Sequence, residues 1–230
     1  MTEEERRMAL VEAALAHVAF DGWSEATLRA AADDSGADPA LAWALFPRGG
    51  VDLALAYHRR GDREMVRRLA AEDLGALRFR DRVARAVRLR LEAADRELVR
   101  RGTTLFSLPQ HAADGARAIW GTADAIWVAL GDRSEDINWY SKRASLSAVY
   151  GATVLFWLGD DSTDHQATWD FLDRRIENVM QFEKAKAAFA ANPLGKALIS
   201  GPFKVLERIR APRLPGDLPG RTTTDAAGRS

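Results

Sequence analysis

Apolar residues recur at the three- and four-residue spacing of a helix along almost the whole chain, and the alternation expected of a half-buried strand is scarce. This pattern predicts an all-α fold, a bundle of amphipathic helices joined by short breaks. The first helix is expected over residues 3–18, with Met8, Val11, Leu15 and Val18 on one stripe. "FDGWS" breaks it. Ser24 then suits the N-cap of "EATLRAAADD", because its hydroxyl can accept an orphan N–H. After the turn "SGAD", Asp38 and Pro39 give a strong start signal: a capping carboxylate, then a proline where its missing N–H costs nothing. Pro47 and Gly49–Gly50 stop that short helix. Three helices with a tight glycine-containing turn between the second and third form a helix-turn-helix unit.

A long helix should follow over residues 51–69. In "LRFRDRVARAVRLRLEAADRELVRR", Leu77, Val83, Val87, Leu91 and Leu98 fit one helix stripe, and arginines cover the rest as a solvated, salt-bridged face. "TTLFSLPQH" reads as a short apolar helix ended by Pro109. "ADGARAIWGTADAIWVALG" is another, with Trp120 and Trp127 on one face. "SLSAVYGATVLFWLG" is too short to cross a bilayer and reads as a buried helix. The division that follows is a helix-turn-helix unit at 1–50, a helical bundle at 51–192, an amphipathic helix at 193–210 and a polar, Pro/Gly-rich disordered tail at 211–230.

Charge argues against the usual work of a helix-turn-helix. Residues 1–46 hold nine acidic side chains against three basic ones. DNA affinity comes from Lys and Arg neutralising phosphates, and base reading needs Arg, Lys, Asn or Gln. The third helix offers Asp38, Ala40, Ala42 and Trp43 instead. No nucleic acid partner is expected. Arginine is concentrated in residues 58–101, fourteen against eight acids.

Catalytic patterns are missing as well. None of His17, His58, His111 and His165 has a glutamate three residues before it, so the di-iron Glu-x-x-His pattern is absent. The chain has no cysteine and no phosphate-cradling glycine loop. The expectation is a binding protein without cofactor or metal. "MTEEERRMALVEAAL" starts acidic and resembles neither a secretory signal nor an Arg-rich transit peptide.

The stretch "VEAALAHVAFDGWSEATLRAAADDSGADPALAWALFPRGGVDLALA" resembles the N-terminal module of tetracycline-repressor-type regulators, through Phe20, Gly22, Trp23, Leu28, Ala32, Gly36, Phe46, Pro47 and Leu53. A ligand-responsive regulator is therefore the alternative function. "GDRSEDINWYSKRASLSAVYGATVLFWLGDDS" and "TWDFLDRRIENVM" resemble the lipid-binding accessory family of ubiquinone (coenzyme Q) biosynthesis, the ninth in the numbered coenzyme Q set. Asn138-Trp139-Tyr140 followed by Lys142-Arg143 is the most specific piece, supported by "FPRGG", "HRRGDREM" and "ADAIWVALGD". The resemblance implies a tetracycline-repressor-like fold without DNA binding, a homodimer, a buried pocket for an isoprenoid quinone or other lipid, and a C-terminal helix docking on a membrane surface. It also implies a partner, the di-iron demethoxyubiquinone hydroxylase, and no catalysis by the chain itself. The placement expected is cytoplasmic, peripheral on the inner face of the cytoplasmic membrane.

Three sets of residues are the candidates. Lys142 and Arg143 should face solvent, and Trp139 shares their helix face. Asn138, Trp139, Tyr140 and Arg143 form the expected partner patch, which by resemblance continues onto Ile126 and Trp127. Leu105, Phe106, Leu108, Trp120, Val149, Val154 and Trp157, interspersed with the small residues Ala144, Ser147, Ala148 and Gly151, could leave an apolar cavity for lipid. On a helical wheel of "PLGKALISGPFKVLERIR", Leu198, Leu206 and Ile209 share an apolar arc. Lys196, Lys204 and Arg208 lie opposite, with Phe203 at the boundary. That arrangement suits an interfacial membrane helix, although Gly201-Pro202 interrupts it.

Overall fold

The computed structural model describes residues 1–134 and 137–191, with 137 and 182–191 as backbone only. Among the described residues every long element is helical and there is no strand: α1 (Glu3–Asp21), α2 (Glu25–Ser35), α3 (Pro39–Leu45), α4 (Gly50–Ala70), α5 (Phe79–Glu92), α6 (Arg96–Phe106), α7 (Ala112–Ala129), α8 (Ile137–Leu158) and α9 (Gln166–Ala191). The amphipathic segment at 193–210, with Leu198, Phe203, Leu206, Ile209, Lys196, Lys204 and Arg208, lies outside the described residues, as does the tail at 211–230.

Local chemistry sets the ends of the first three helices. Thr2 caps α1 in a reciprocal box, accepting from Glu5 N–H at 3.2 Å while the Glu5 carboxylate accepts from Thr2 N–H at 2.7 Å. Ser24 accepts from Thr27 N–H, and Gly36 closes α2 in the left-handed conformation at φ 63°. Asp38 accepts from Ala40 N–H at 2.9 Å, with Pro39 opening α3. Gly50 allows the start of α4 to lie on the α1–α2 corner, since a Cβ there would stand 2.2 Å from the Trp23 carbonyl oxygen. Trp43 is half-buried, with its ring carbons 3.5 Å from where a Cβ on Gly49 would be, and Ala42 is buried. Neither belongs to an open reading surface, so α3 packs the N-terminal unit together.

The arginine-rich stretch is not one helix. It breaks at Ala93–Asp95, where Asp95 accepts from the N–H groups of Glu97 and Leu98 at 2.8 and 3.0 Å and starts α6. "TTLF" is the last turn of α6 rather than a separate helix. Most of the arginines are on the surface and paired, as in Arg78–Asp81, Arg80–Glu177 and Arg85–Glu72. Arg90 is the exception, only 3% exposed.

Two apolar cores result. One joins α1 to α4 with Leu98; the other joins α4, α5, α7, α8 and α9 through residues such as Met65, Val87, Ile126, Tyr150 and Leu172. Trp23 ties the first core to α6, donating from Nε1 to the Leu98 carbonyl at 3.1 Å. α8 is not buried all round: Leu146, Val149, Tyr150 and Trp157 face inward, whereas Leu155 and Phe156 are exposed. No described helix is long and apolar enough to cross a membrane.

Candidate functional site

An apolar cavity of about 380 Å³ lies among α4, α5, α6, α7 and α8. It exists because the facing positions carry little side chain: Gly102 on α6, Ala112, Gly115 and Ala116 on α7, and Gly151 on α8. Phe106, Ile119, Val154 and Leu155 supply its apolar lining. Leu155 is 63% exposed, so the cavity reaches the surface beside it.

Two of the seven predicted lipid residues, Phe106 and Val154, line this space, as does the small residue Gly151. The others do not. Leu105 packs on the N-terminal core, Leu108 is exposed, and Trp157 is buried in the second core. Val149 lines a smaller pocket of about 220 Å³ with Phe79, Trp127 and Met180. Trp120 turns toward Trp139, at 5.9 Å between ring centroids. Missed were Ala112, Gly115 and Ala116, whose three- and four-residue spacing ahead of Ile119 was a readable small-residue stripe. Also missed was the polar end of the cavity.

That end is made by Tyr57 and His58 on α4, Arg90 on α5 and Tyr150 on α8. Arg90 donates from Nε to Asp62 Oδ1 at 2.7 Å and from Nη2 to the His58 carbonyl at 3.0 Å. Thr122 donates to Asp62 at 2.9 Å. His58 Nε2 lies 2.8 Å from Thr122 Oγ1 and 3.1 Å from the Ala118 carbonyl. Burial, aided by Arg90 and opposed by Asp62, pushes the His58 imidazole down to about 4. Burial also raises the Tyr57 and Tyr150 phenols.

The sign of the His58 shift gives a pH dependence. Below its ordinary value of 6.5 the unfolded chain takes up a proton that the folded chain refuses. Stability from this group is therefore complete above pH 6.5 and lost as pH falls toward about 4. Urea unfolding should show the wild type losing more stability than His58→Gln between pH 7.5 and 5, by on the order of 1–2 kcal/mol. Equal losses would show that the ring is not held neutral.

The aromatic patch is a second feature. Trp139 stands edge-on to Tyr140 at 4.8 Å, and both rings lean on Trp120. Asn138 is exposed, and Trp139 and Tyr140 are half-buried. Two expectations about the surrounding surface are corrected. Arg143 does not face solvent: it is 2% exposed and bonded to Asp124 at 2.5 Å and Asp132 at 3.1 Å. Two carboxylates on α7 and the turn after it draw the guanidinium inward, where it lies 4.0 Å from the Trp139 ring centroid. Ile126 is wholly buried in the second core and presents nothing to a partner. Trp127 is half-buried, stacked on Phe79 at 5.4 Å and donating from Nε1 to the Lys142 carbonyl at 3.1 Å. Lys142 reaches Asp132 at 2.7 Å. Burial would raise the Asp132 carboxyl, but hydrogen bonds from Lys142, Ser134 and Arg143 outweigh it and hold the group at about 2.

Comparison with known proteins gives relatives for both halves of this arrangement. The family model described as COQ9 matches residues 112–183. "Ubiquinone biosynthesis protein COQ9, mitochondrial" of Drosophila melanogaster is 30% identical over 183 residues, covering 77% of this chain and 56% of that protein. The Homo sapiens protein of the same name is 29% identical over 209 residues, covering 87% and 65%. That of Rattus norvegicus is 30% identical over 209 residues, covering 87% and 66%. The chain thus spans between 56% and 66% of the length of these relatives. Among solved structures, the crystal structure of the TetR transcriptional regulator from Nitrosomonas europaea ATCC 19718 superposes with a TM-score of 0.59 at 22% identity, covering 75% of this chain and 97% of that one. The fold is therefore tetracycline-repressor-like. The relatives are named as mitochondrial proteins, which overturns the expectation of the cytoplasm and of the inner face of the cytoplasmic membrane. A lack of cysteine and an acidic first turn do not distinguish between reducing compartments.

Proposed function

The chain belongs to the COQ9 family, whose model it matches across residues 112–183, and from that premise we propose that it serves ubiquinone biosynthesis as a lipid-binding protein, not a catalyst. The observation that carries this reading is the apolar cavity of about 380 Å³, open beside Leu155. A long isoprenoid tail is barely soluble, and each Å² of apolar surface removed from water is worth about 25 cal/mol. A protein-lined route is thus favoured over passage through water. On this reading the cavity takes an isoprenoid quinone intermediate from a membrane surface, and the Trp139–Tyr140 patch presents it to the di-iron demethoxyubiquinone hydroxylase. The basic, amphipathic wheel at 193–210 supports membrane docking by that segment. Exposed Phe156, stacked on Phe171 at 4.5 Å, and exposed Met180 support a homodimer through α8 and α9. Acidic residues across the helix-turn-helix unit argue against a nucleic acid partner.

The test is mass spectrometry of lipid that co-purifies with the protein. The wild type should carry a quinone-class lipid. Val154→Trp, which fills the cavity, should lose at least about nine-tenths of it while keeping its helical circular dichroism, as expected when a ligand-sized pocket is occupied by side chain. A wild type free of lipid would end the reading; a variant that keeps its lipid would move the site elsewhere.

A further inference from the structure

A second hollow, an open groove of about 1030 Å³, lies between α1, α4 and the α5–α6 turn, back to back with the apolar cavity. Tyr57, Arg90 and Leu98 line both spaces and stand between them. The groove has apolar lining in Leu15, Ala16, Ala94 and Leu98, but half of its lining residues are charged. Two polar groups turn to this side. Tyr57 Oη accepts from the Asp95 N–H at 3.2 Å, and the Arg90 guanidinium lies on Gly61, where a Cβ would stand 2.6 Å from Nη1. Asp95 and Gly61 line the groove and not the cavity. The donors there are not all used. Tyr57 Oη accepts and keeps its own proton to give. Arg90, only 3% exposed, donates from Nε to Asp62 and from Nη2 to the His58 carbonyl, while Nη1 makes no hydrogen bond to the described residues. Arg60 stands near them: burial raises the Tyr57 phenol, and Arg90 and Arg60 both pull it the other way. The partner of Arg60 is Glu12 at 2.9 Å, an exposed pair that holds the side chain weakly.

We propose that this groove is a binding site for a small, water-soluble carboxylate, held by Tyr57 Oη, Arg90 Nη1 and Arg60, with a short apolar body against Leu15 and Leu98. The site is separate from the lipid cavity and does not depend on the reading given to it. The charge balance selects the ligand. Five arginines line the groove. Arg60 pairs with Glu12, Arg63 with Glu4 and Arg90 with Asp62, whereas Arg67 and Arg68 share Glu64, so one positive charge is left over. Asp95 and Glu97 also line the groove, but Asp95 caps α6 and Glu97 is taken by Arg100 and Arg101 outside it. A carboxylate brings one negative charge and two oxygens that accept from such donors. A phosphate monoester carries about two negative charges at neutral pH and would leave one of them uncompensated beside a buried wall. A neutral molecule would leave the extra cation unanswered.

The experiment is calorimetric titration of the full-length protein, at fixed ionic strength, with three probes that share one ring: benzoate, phenyl phosphate and benzamide. Benzoate should saturate a single site per chain, phenyl phosphate should bind no tighter, and benzamide should not bind. Tyr57→Phe should weaken benzoate roughly three- to ten-fold, the loss of one hydrogen bond, and Arg60→Gln by roughly ten-fold, the loss of a charged one. Arg60 is on the surface, so its variant serves should Tyr57→Phe fold poorly. Arg78→Gln removes an arginine that does not line the groove and should change nothing. Phenyl phosphate binding ten-fold tighter than benzoate, or benzamide binding as well as benzoate, would overturn the carboxylate assignment. Equal losses in Arg78→Gln and Arg60→Gln would reduce the effect to diffuse charge and overturn the site. Failure of benzoate to bind would also overturn it, and lipid that still co-purified with the protein would leave the reading of the cavity intact.

Discussion

Replacing Arg143 with alanine should destabilise the protein by about 3–5 kcal/mol, the usual cost of removing one partner from a buried ion pair. The reason is geometric. Asp132 has a side chain only 4% exposed and Arg143 one only 2% exposed, and they meet at 3.1 Å. Without the guanidinium, Asp132 keeps Lys142 and Ser134 but loses its buried counter-charge. Urea denaturation at neutral pH measures the loss, and a change below about 1 kcal/mol, the level of a surface pair, would mean that the pair is not structural. Asp132→Asn placed on the Arg143→Ala background should recover part of the stability, because it removes the stranded charge. The acid limb carries its own signature. Asp132 is held at about 2, below its ordinary 3.8, so its contribution is full above pH 3.8 and fades as pH falls toward 2. In Arg143→Ala that fading should be smaller. Arg143 also donates to the Trp139 carbonyl at 3.2 Å and lies under its ring. The same variant should therefore loosen the aromatic patch.

Arg143 also marks the limit of what the sequence made legible. Lys142 and Arg143 look alike, but neighbours on a helix point about 100° apart, and only one of them meets carboxylates. Those carboxylates come from α7 and the turn beyond it, which no local pattern pairs with α8. Caps, by contrast, are local, so Ser24 and the Asp38–Pro39 start were readable. The break at Asp95 was hidden because the apolar stripe from Leu77 to Leu98 continues in phase across it. The cavity shows the same division. Its existence follows from small residues, which composition suggests, but its walls depend on which faces of five helices converge. Phe106 and Val154 line it and Trp120 does not, since a large apolar side chain suits a pocket wall and an aromatic cluster equally well.

If the Trp139–Tyr140 patch docks the hydroxylase as proposed, Trp139→Ala should weaken that binding by about 2 kcal/mol or more, roughly 30-fold, the effect of losing an aromatic anchor at an interface centre. The fold should survive, because Trp139 is only half-buried and belongs to neither apolar core. Circular dichroism and the urea midpoint would confirm this, and an affinity within a factor of about two or three of wild type would remove Trp139 from the docking surface. Trp120 separates this patch from the cavity. Its ring lies 5.9 Å from Trp139 and 6.5 Å from Tyr140, and it does not line the apolar cavity. Trp120→Ala should therefore lower hydroxylase affinity, by withdrawing the support behind both rings, and leave the co-purifying lipid unchanged. Loss of lipid with affinity intact would reverse the roles assigned to the two sites. If both held, lipid capture and partner docking would be shown to use different faces of α7: Ala112, Gly115, Ala116 and Ile119 toward the cavity, Trp120 toward the patch. A single rigid helix would then join the two tasks, because adjacent residues on it, Ile119 and Trp120, belong one to each.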